Sequence, residues 1–299
     1  MQEYNVVVET KPGTFEEVLA TDDMTLQQLA EECQENYRDR IVLANVNGRL
    51  RELNKKVTDG ATVSFLNMTE RDGKRTYRRS VTLLLQKAVD NLWGDSVHVR
   101  VFYSLGEGYY CELENNSIDD EKLAAIKSEM QRLVELNLPI EKNSVKTEEA
   151  EHRFRDRGMK DKERLLHYRR SSRVNLYSLD GMEDYFYGYM VPSTGYLSVF
   201  DLQLYEDGFV LLFPNKNGSK VEPLNTSNKL YHTLKQSREW SQMLGVGTIG
   251  ALNDAIAAGK GEQIVLLQEA LMEERIGALA AQIAERGNVK FVMIAGPSS

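Results

Sequence analysis

Few residues in this chain carry reactive groups, and their spacing narrows the chemistry further. Thiols are limited to Cys33 and Cys111, and imidazoles to His98, His152, His167 and His232. The cysteines stand far apart and neither belongs to a C-x-x-C pair. That excludes a disulfide framework and a cysteine zinc site, and it fits a reducing, cytoplasmic setting. No histidine has a carboxylate or nucleophile at a diagnostic spacing, so neither a hydrolase triad nor histidine-rich metal chemistry is expected. Anion chemistry is better supplied. Residues 153–173 hold nine basic and three acidic side chains, a surplus of six in a chain of net charge −8. Residues 74–79 (KRTYRR) form a second basic run. Such runs are most often solvated helix faces; the functional alternative is a site for phosphate, on RNA or on a nucleotide. Within 153–173 the aromatic residues are only Phe154 and Tyr168, so base stacking gains little support.

Two glycine patterns also bear on phosphate. Residues 245–250 (GVGTIG) fit G-x-G-x-x-G. A dinucleotide site needs that motif directly after a strand. Here helical patterns lie on both sides, and the pattern predicts a helix C-cap and an inter-helix turn. Residues 288–295 (NVKFVMIA) read as a buried strand running into Gly296, Pro297, Ser298 and Ser299. A strand followed by glycine is how a phosphate-binding P-loop begins, before its second glycine, lysine and Ser/Thr. Those later positions would lie past Ser299, so the expected nucleotide-binding loop is incomplete.

The elements that must position these groups follow from length and patterning. The chain has 299 residues, 41% hydrophobic and 27% charged, with 14 Tyr and 9 Phe. That is material for two or three ordinary domains and real cores. No run approaches the roughly 20 apolar residues of a membrane span, and no signal peptide opens the chain. Residues 4–10 and a segment near Val18 read as strands. Thr25 then opens a helix, with Gln28 completing a capping box and Leu26, Leu29, Ala30 and Cys33 on one apolar face. Strands are expected at 41–45 and 62–67, with a hairpin turn at 46–49. A helix is expected over 80–93, then a hairpin of 97–103 and 109–113. A helix capped by Asp119 or Asp120 should bury Leu123, Ile126, Met130 and Leu133. An extended stretch at 138–145, a charged helix from Thr147 and several antiparallel strands in 173–214 follow. Residues 215–228 read as a linker, and 229–244, 249–258 and 262–286 as helices.

Two segments resemble threonyl-tRNA synthetase. Residues 184–195, DYFYGYMVPSTG, are similar to that family's D-L-C-R-G-P-H-V-P-S-T-G, and residues 78–85, RRSVTLLL, to its R-H-S-x-x-H-L-L. The family's editing domain binds a metal through two helix histidines and the cysteine and histidine of the second motif. Position by position those places hold Arg79, Leu83, Phe186 and Met190, which lack the donors zinc requires. The resemblance therefore implies a lost metal site. Phe186 and Met190 are expected to fill the vacated pocket as core. Alternatively a drier pocket remains, with Arg79 at its mouth as an anion-binding residue; Arg169, Arg170 and Arg173 are further candidates.

The order of a TGS-like unit, an editing-like unit, helices and an incomplete P-loop resembles the N-terminal part of bacterial uridine kinase-like nucleoside kinases. The implied fold class is α+β. Its parts are a β-grasp TGS domain at 1–68, a threonyl/alanyl-tRNA synthetase editing-like sandwich at 69–214, a linker and helical connector at 215–287, and the first kinase strand at 288–299. The resemblance implies a non-catalytic regulatory or ligand-binding part of an ATP-dependent nucleoside kinase, with uridine as the expected nucleoside. ATP and Mg²⁺ would serve the full-length protein and no cofactor this part. The expected partners are the kinase domain and a nucleoside or nucleotide ligand, with no membrane. The alternative is a tRNA-binding module that keeps the editing scaffold without zinc.

Overall fold

The computed structural model describes residues 3–215, 218, 220–294 and 296. Strands β1 (Glu3–Lys11) and β2 (Thr14–Thr21) pair antiparallel across a turn in which Gly13 takes a φ of +79°. Helix α1 (Leu26–Cys33) follows. Its capping box is formed: the Gln28 amide donates to the Thr25 hydroxyl and Gln28 Oε1 accepts from the Thr25 amide. Leu26, Leu29, Ala30 and Cys33 are its buried face. Strands β3 (Ile41–Val46) and β4 (Arg49–Arg51) turn at Asn47-Gly48, both at positive φ, the signature of a tight hairpin. With β5 (Thr62–Asn67) they complete a sheet of order β2-β1-β5-β3-β4, in which β1 and β5 run parallel.

Helix α2 (Arg71–Trp93) starts nine residues before the expected position at Ser80, so the basic run 74–79 forms its first turns. Apolar periodicity is thin there, and tertiary contacts decide the matter. Tyr77 is buried, its hydroxyl accepting from the Val199 amide (2.9 Å) and donating to the Val199 carbonyl (3.2 Å). Gly73 lies against the Asn67 carbonyl, where any Cβ would collide, so the helix can leave β5 this abruptly only with glycine.

Strands β6 (Val99–Leu105) and β7 (Gly108–Leu113), helix α3 (Asp120–Glu135) and strand β8 (Ile140–Lys146) come next. Asp119 caps α3 by accepting from the Lys122 amide at 2.8 Å. The charged helix from Thr147 is two helices, α4 (Thr147–Asp156) and α5 (Lys160–His167), broken where Gly158 adopts a φ of +72°. Residues 173–214 supply β9 (Arg173–Leu179), β10 (Met182–Tyr185), β11 (Asp201–Tyr205) and β12 (Gly208–Leu212). These form two sheets, β10-β9-β8 and β11-β12-β7-β6. A continuous core joins the first sheet, α2, α3 and both later sheets. The whole is α+β.

Helices α6 (Asn228–Met243), α7 (Ile249–Ala257) and α8 (Gly261–Glu285) match the helical expectation. Residues 288–294 do not match theirs: they form no strand, and Phe291, Met293 and Ile294 are almost fully exposed. A strand needs a neighbour to take its N–H and C=O groups, and none of the described strands lies beside this segment.

Candidate functional site

A cleft of about 1050 Å³ opens between α2, β6 and the α4–α5 turn, with Gly247 and Thr248 at its rim. Its lining carries Arg75, Arg79, Arg100, Arg157, Lys160, Lys162 and Arg164, against the acids Asp95, Glu114 and Asp161. Most of the cations are neutralised locally. Arg157 pairs with Asp95 (3.0 Å) and Asp90 (3.4 Å), Arg164 with Asp254 (3.3 Å), Arg100 with Glu114 (3.5 Å), and Lys162 with buried Asp184. Arg79 and Lys160 form no ion pair among the described residues.

Arg79 is the more constrained of the two. Its Nη1 donates to the Tyr189 carbonyl at 2.6 Å, and the guanidinium rests against Gly188. Gly188 has a φ of +133°, and a Cβ there would overlap the guanidinium, so this glycine makes the room. Burial pulls the Arg79 pKa below the ordinary arginine value, partly offset by neighbouring Tyr177, Tyr109 and, more weakly, the Glu52 carboxylate, which makes no ion pair with it. A half-buried guanidinium without a carboxylate in contact is a group that gains from an incoming anion.

The segment that carries Arg79's partner is clamped at successive peptides. The Tyr177 hydroxyl lies 2.5 Å from both the Gly188 carbonyl and Glu52 Oε1. The Met190 amide donates to Glu52 Oε1 (3.1 Å), and the Val191 amide to Ser80 Oγ (3.0 Å). Glu52 comes from the end of β4, is buried, and also accepts from Lys142 Nζ at 3.3 Å. The N-terminal sheet thus reaches into the second unit and fixes the floor beside Arg79.

The four positions matched to metal ligands divide into two pairs. Leu83 and Met190 are buried in the main core, and Met190 Sδ lies 3.3 Å from Ser80 Oγ. Arg79 and Phe186 line the cleft, Phe186 being only partly buried. No cluster of His, Cys, Asp or Glu suited to a metal occurs among the described residues. Cys111 is buried, and burial pushes its thiol pKa up, which keeps it inert.

The anion set expected from sequence is not one site. Arg169, Arg170 and Arg173 line a separate groove of about 590 Å³ between the α5–β9 link and the start of α4, which shares no residue with the cleft. Arg173 donates there to the Ser144 carbonyl (2.5 Å) and hydroxyl (3.0 Å). The basic run 153–173 is folded around α5, so its two ends face different concavities. Sequence reasoning also passed over Lys160 and Arg157 individually; the local signal was Gly158, which breaks the run and turns both into the cleft. The GVGTIG motif is an inter-helix turn: Gly245 (φ +71°) closes α6 and Thr248 caps α7. Gly250 lets α7 approach α5, since a Cβ there would meet the Leu165 amide nitrogen at 3.0 Å. Of the expected P-loop, Gly296 is in coil, while Pro297, Ser298 and Ser299 lie outside the described residues.

No protein-family model matches the chain. It is similar to the threonine–tRNA ligase of Syntrophotalea carbinolica, with 29% identity over 163 residues, covering 54% of this chain and 26% of that protein. The chain is homologous to threonyl-tRNA synthetase over about half its length. Similar figures hold for the threonine–tRNA ligase of Thermotoga maritima, 28% identical over 162 residues (53% of this chain, 25% of that protein). Threonine–tRNA ligase 2 of Bacillus subtilis is 28% identical over 181 residues (60% and 28%). The chain spans about a quarter of the length of these relatives. No described helix is long and apolar enough to cross a membrane.

Proposed function

We propose that this chain is a tRNA-binding module on a threonyl-tRNA synthetase editing-type scaffold that has exchanged metal chemistry for anion binding. In this reading the sheet of order β2-β1-β5-β3-β4 is a TGS-type β-grasp, and the cleft takes the phosphate and sugar groups of a tRNA acceptor end. The observation that carries it is Arg79. It stands where the resemblance puts a metal ligand, half-buried, without a carboxylate partner, and lining a cleft rich in cations. An arginine fork suits a phosphate bidentately, and Lys160 adds a point charge. The homology to synthetases acting with tRNA supports the choice of ligand.

Filter binding of tRNA over a salt series tests the proposal. Affinity should fall steeply with log salt, and Arg79→Ala with Lys160→Ala should weaken it about tenfold or more. No binding at about 50 mM salt would remove the idea.

A second reading keeps the chain as the regulatory part of a nucleoside kinase, with ATP, Mg²⁺ and a following kinase domain as its requirements. It is favoured by the exposed apolar side chains of α8 and of residues 289–294, which suit a further domain. A longer clone reaching a G-K-[ST] sequence, assayed for ATP-dependent phosphorylation of uridine and other nucleosides, decides it; no turnover rejects it.

A further inference from the structure

A cluster of unneutralised charge lies away from the cleft, at the edge of the N-terminal sheet. Residues 49–56 (RLRELNKK) hold four cations and one acid. That acid, Glu52, is turned inward and spent on Tyr177, Lys142 and the Met190 amide. The outer face therefore keeps Arg49, Arg51, Lys55 and Lys56, all exposed and none in an ion pair among the described residues. They line one groove of about 710 Å³ whose other lining residues are neutral. Acids stand at its margin: Lys56 donates to the Asp22 carbonyl at 3.4 Å, Asp23 has Lys56 among its lesser electrostatic neighbours, and exposed Asp59 follows the lining residue Thr58.

We infer that this groove is a second, separate binding site for the phosphate backbone of RNA. Arg49 and Arg51 are two apart on β4, the outermost strand of the sheet, so both side chains stand on one face about 6.6 Å apart. That is close to the repeat of successive phosphates along a nucleic-acid strand, and each guanidinium can grip one phosphate with two hydrogen bonds. Lys55 and Lys56 continue the charge along the groove. No aromatic residue lines it, so it reads backbone rather than bases and is indifferent to sequence. An anionic membrane surface fits less well, since the exposed apolar Phe15 and Leu19 sit on β2, at the opposite edge of the sheet.

The test uses the whole chain, a fluorescently labelled tRNA and its affinity over a salt series. Replacing Arg49, Arg51, Lys55 and Lys56 by glutamine should lower the slope of log affinity against log salt by about 3, and affinity about tenfold or more. The cleft variant Arg79→Ala should leave that part of the slope in place. An unchanged slope in the glutamine variant overturns the groove even where tRNA still binds through the cleft. A slope lost only in the glutamine variant rejects the cleft reading and keeps the groove; no tRNA binding at all rejects both. Acetylation of the wild-type protein is a check that needs no variant to fold: tRNA should protect Lys55 and Lys56 from modification. Full reactivity of both lysines at saturating tRNA, or tighter binding to phosphatidylserine vesicles than to tRNA, overturns the assignment.

Discussion

Helices α2 and α8 are alike in length, 23 and 25 residues, and opposite in fate. α2 carries two lysine or arginine clusters yet buries twelve residues; α8 is the more apolar sequence and buries none. The difference teaches that burial belongs to a pair of surfaces, not to one. α2 meets a sheet on either side, and its polar groups are satisfied where they enter the core. Ser80 and Thr82 donate to the carbonyls of Thr76 and Arg78, and Lys87 donates to the Asp180 carbonyl. α8 presents Val265, Leu266, Met272, Ile276 and Leu279 without a described element to receive them.

Core truncation should separate the two helices most. Leu84→Ala in α2 should cost about 2–5 kcal/mol, whereas Leu279→Ala in α8 should stay within about 0.5 kcal/mol, both read by urea unfolding. Equal losses would break the comparison and mean that α8 is covered in solution. Next in size, Glu52→Ala strips acceptors from the Tyr177 hydroxyl, the Met190 amide and Lys142. A loss of about 1–3 kcal/mol is expected, together with weaker Arg79-dependent tRNA binding. A destabilised protein with unchanged binding would show that the clamp does not position Arg79. The smallest effect contrasts two helix starts. Thr25→Ala should cost about 1 kcal/mol by removing the α1 capping box. Ser227→Ala, at the head of α6 where the side chain makes no capping bond, should cost almost nothing in the same thermal melts.

What could be read beforehand sorts by the range of the forces involved. The α1 capping box, the buried face of α3 and the Asn47-Gly48 turn are encoded within a few residues of each other. The start of α2 at Arg71 is not: Tyr77 is held by Val199, 122 positions away, and Gly73 by the exit from β5. The same limit applied to the site. Arg79 lines the cleft, whereas Arg169, Arg170 and Arg173 line a separate groove, because a turn at Gly158 and helix α5 redirect the run. The groove at β4 was hidden more thoroughly. RLRELNKK looks ordinary until Glu52 is seen to face inward, leaving its neighbours' charge uncancelled. The strand expected over 288–295 had the composition of a strand, but over 288–294 no described strand lies beside it.

Tyr231, near the start of α6, is fully buried. Its ring packs edge-on against Tyr103, Tyr110 and Tyr205, and its hydroxyl lies 3.2 Å from that of Tyr110. This plug fixes the azimuth and tilt at which the helix departs from the body, and α7 is braced a second time against α5 through Gly250. The polypeptide after residue 227 is thereby anchored twice, α6 to the sheet whose strand β6 walls the cleft and α7 to helix α5, whose first turns line it.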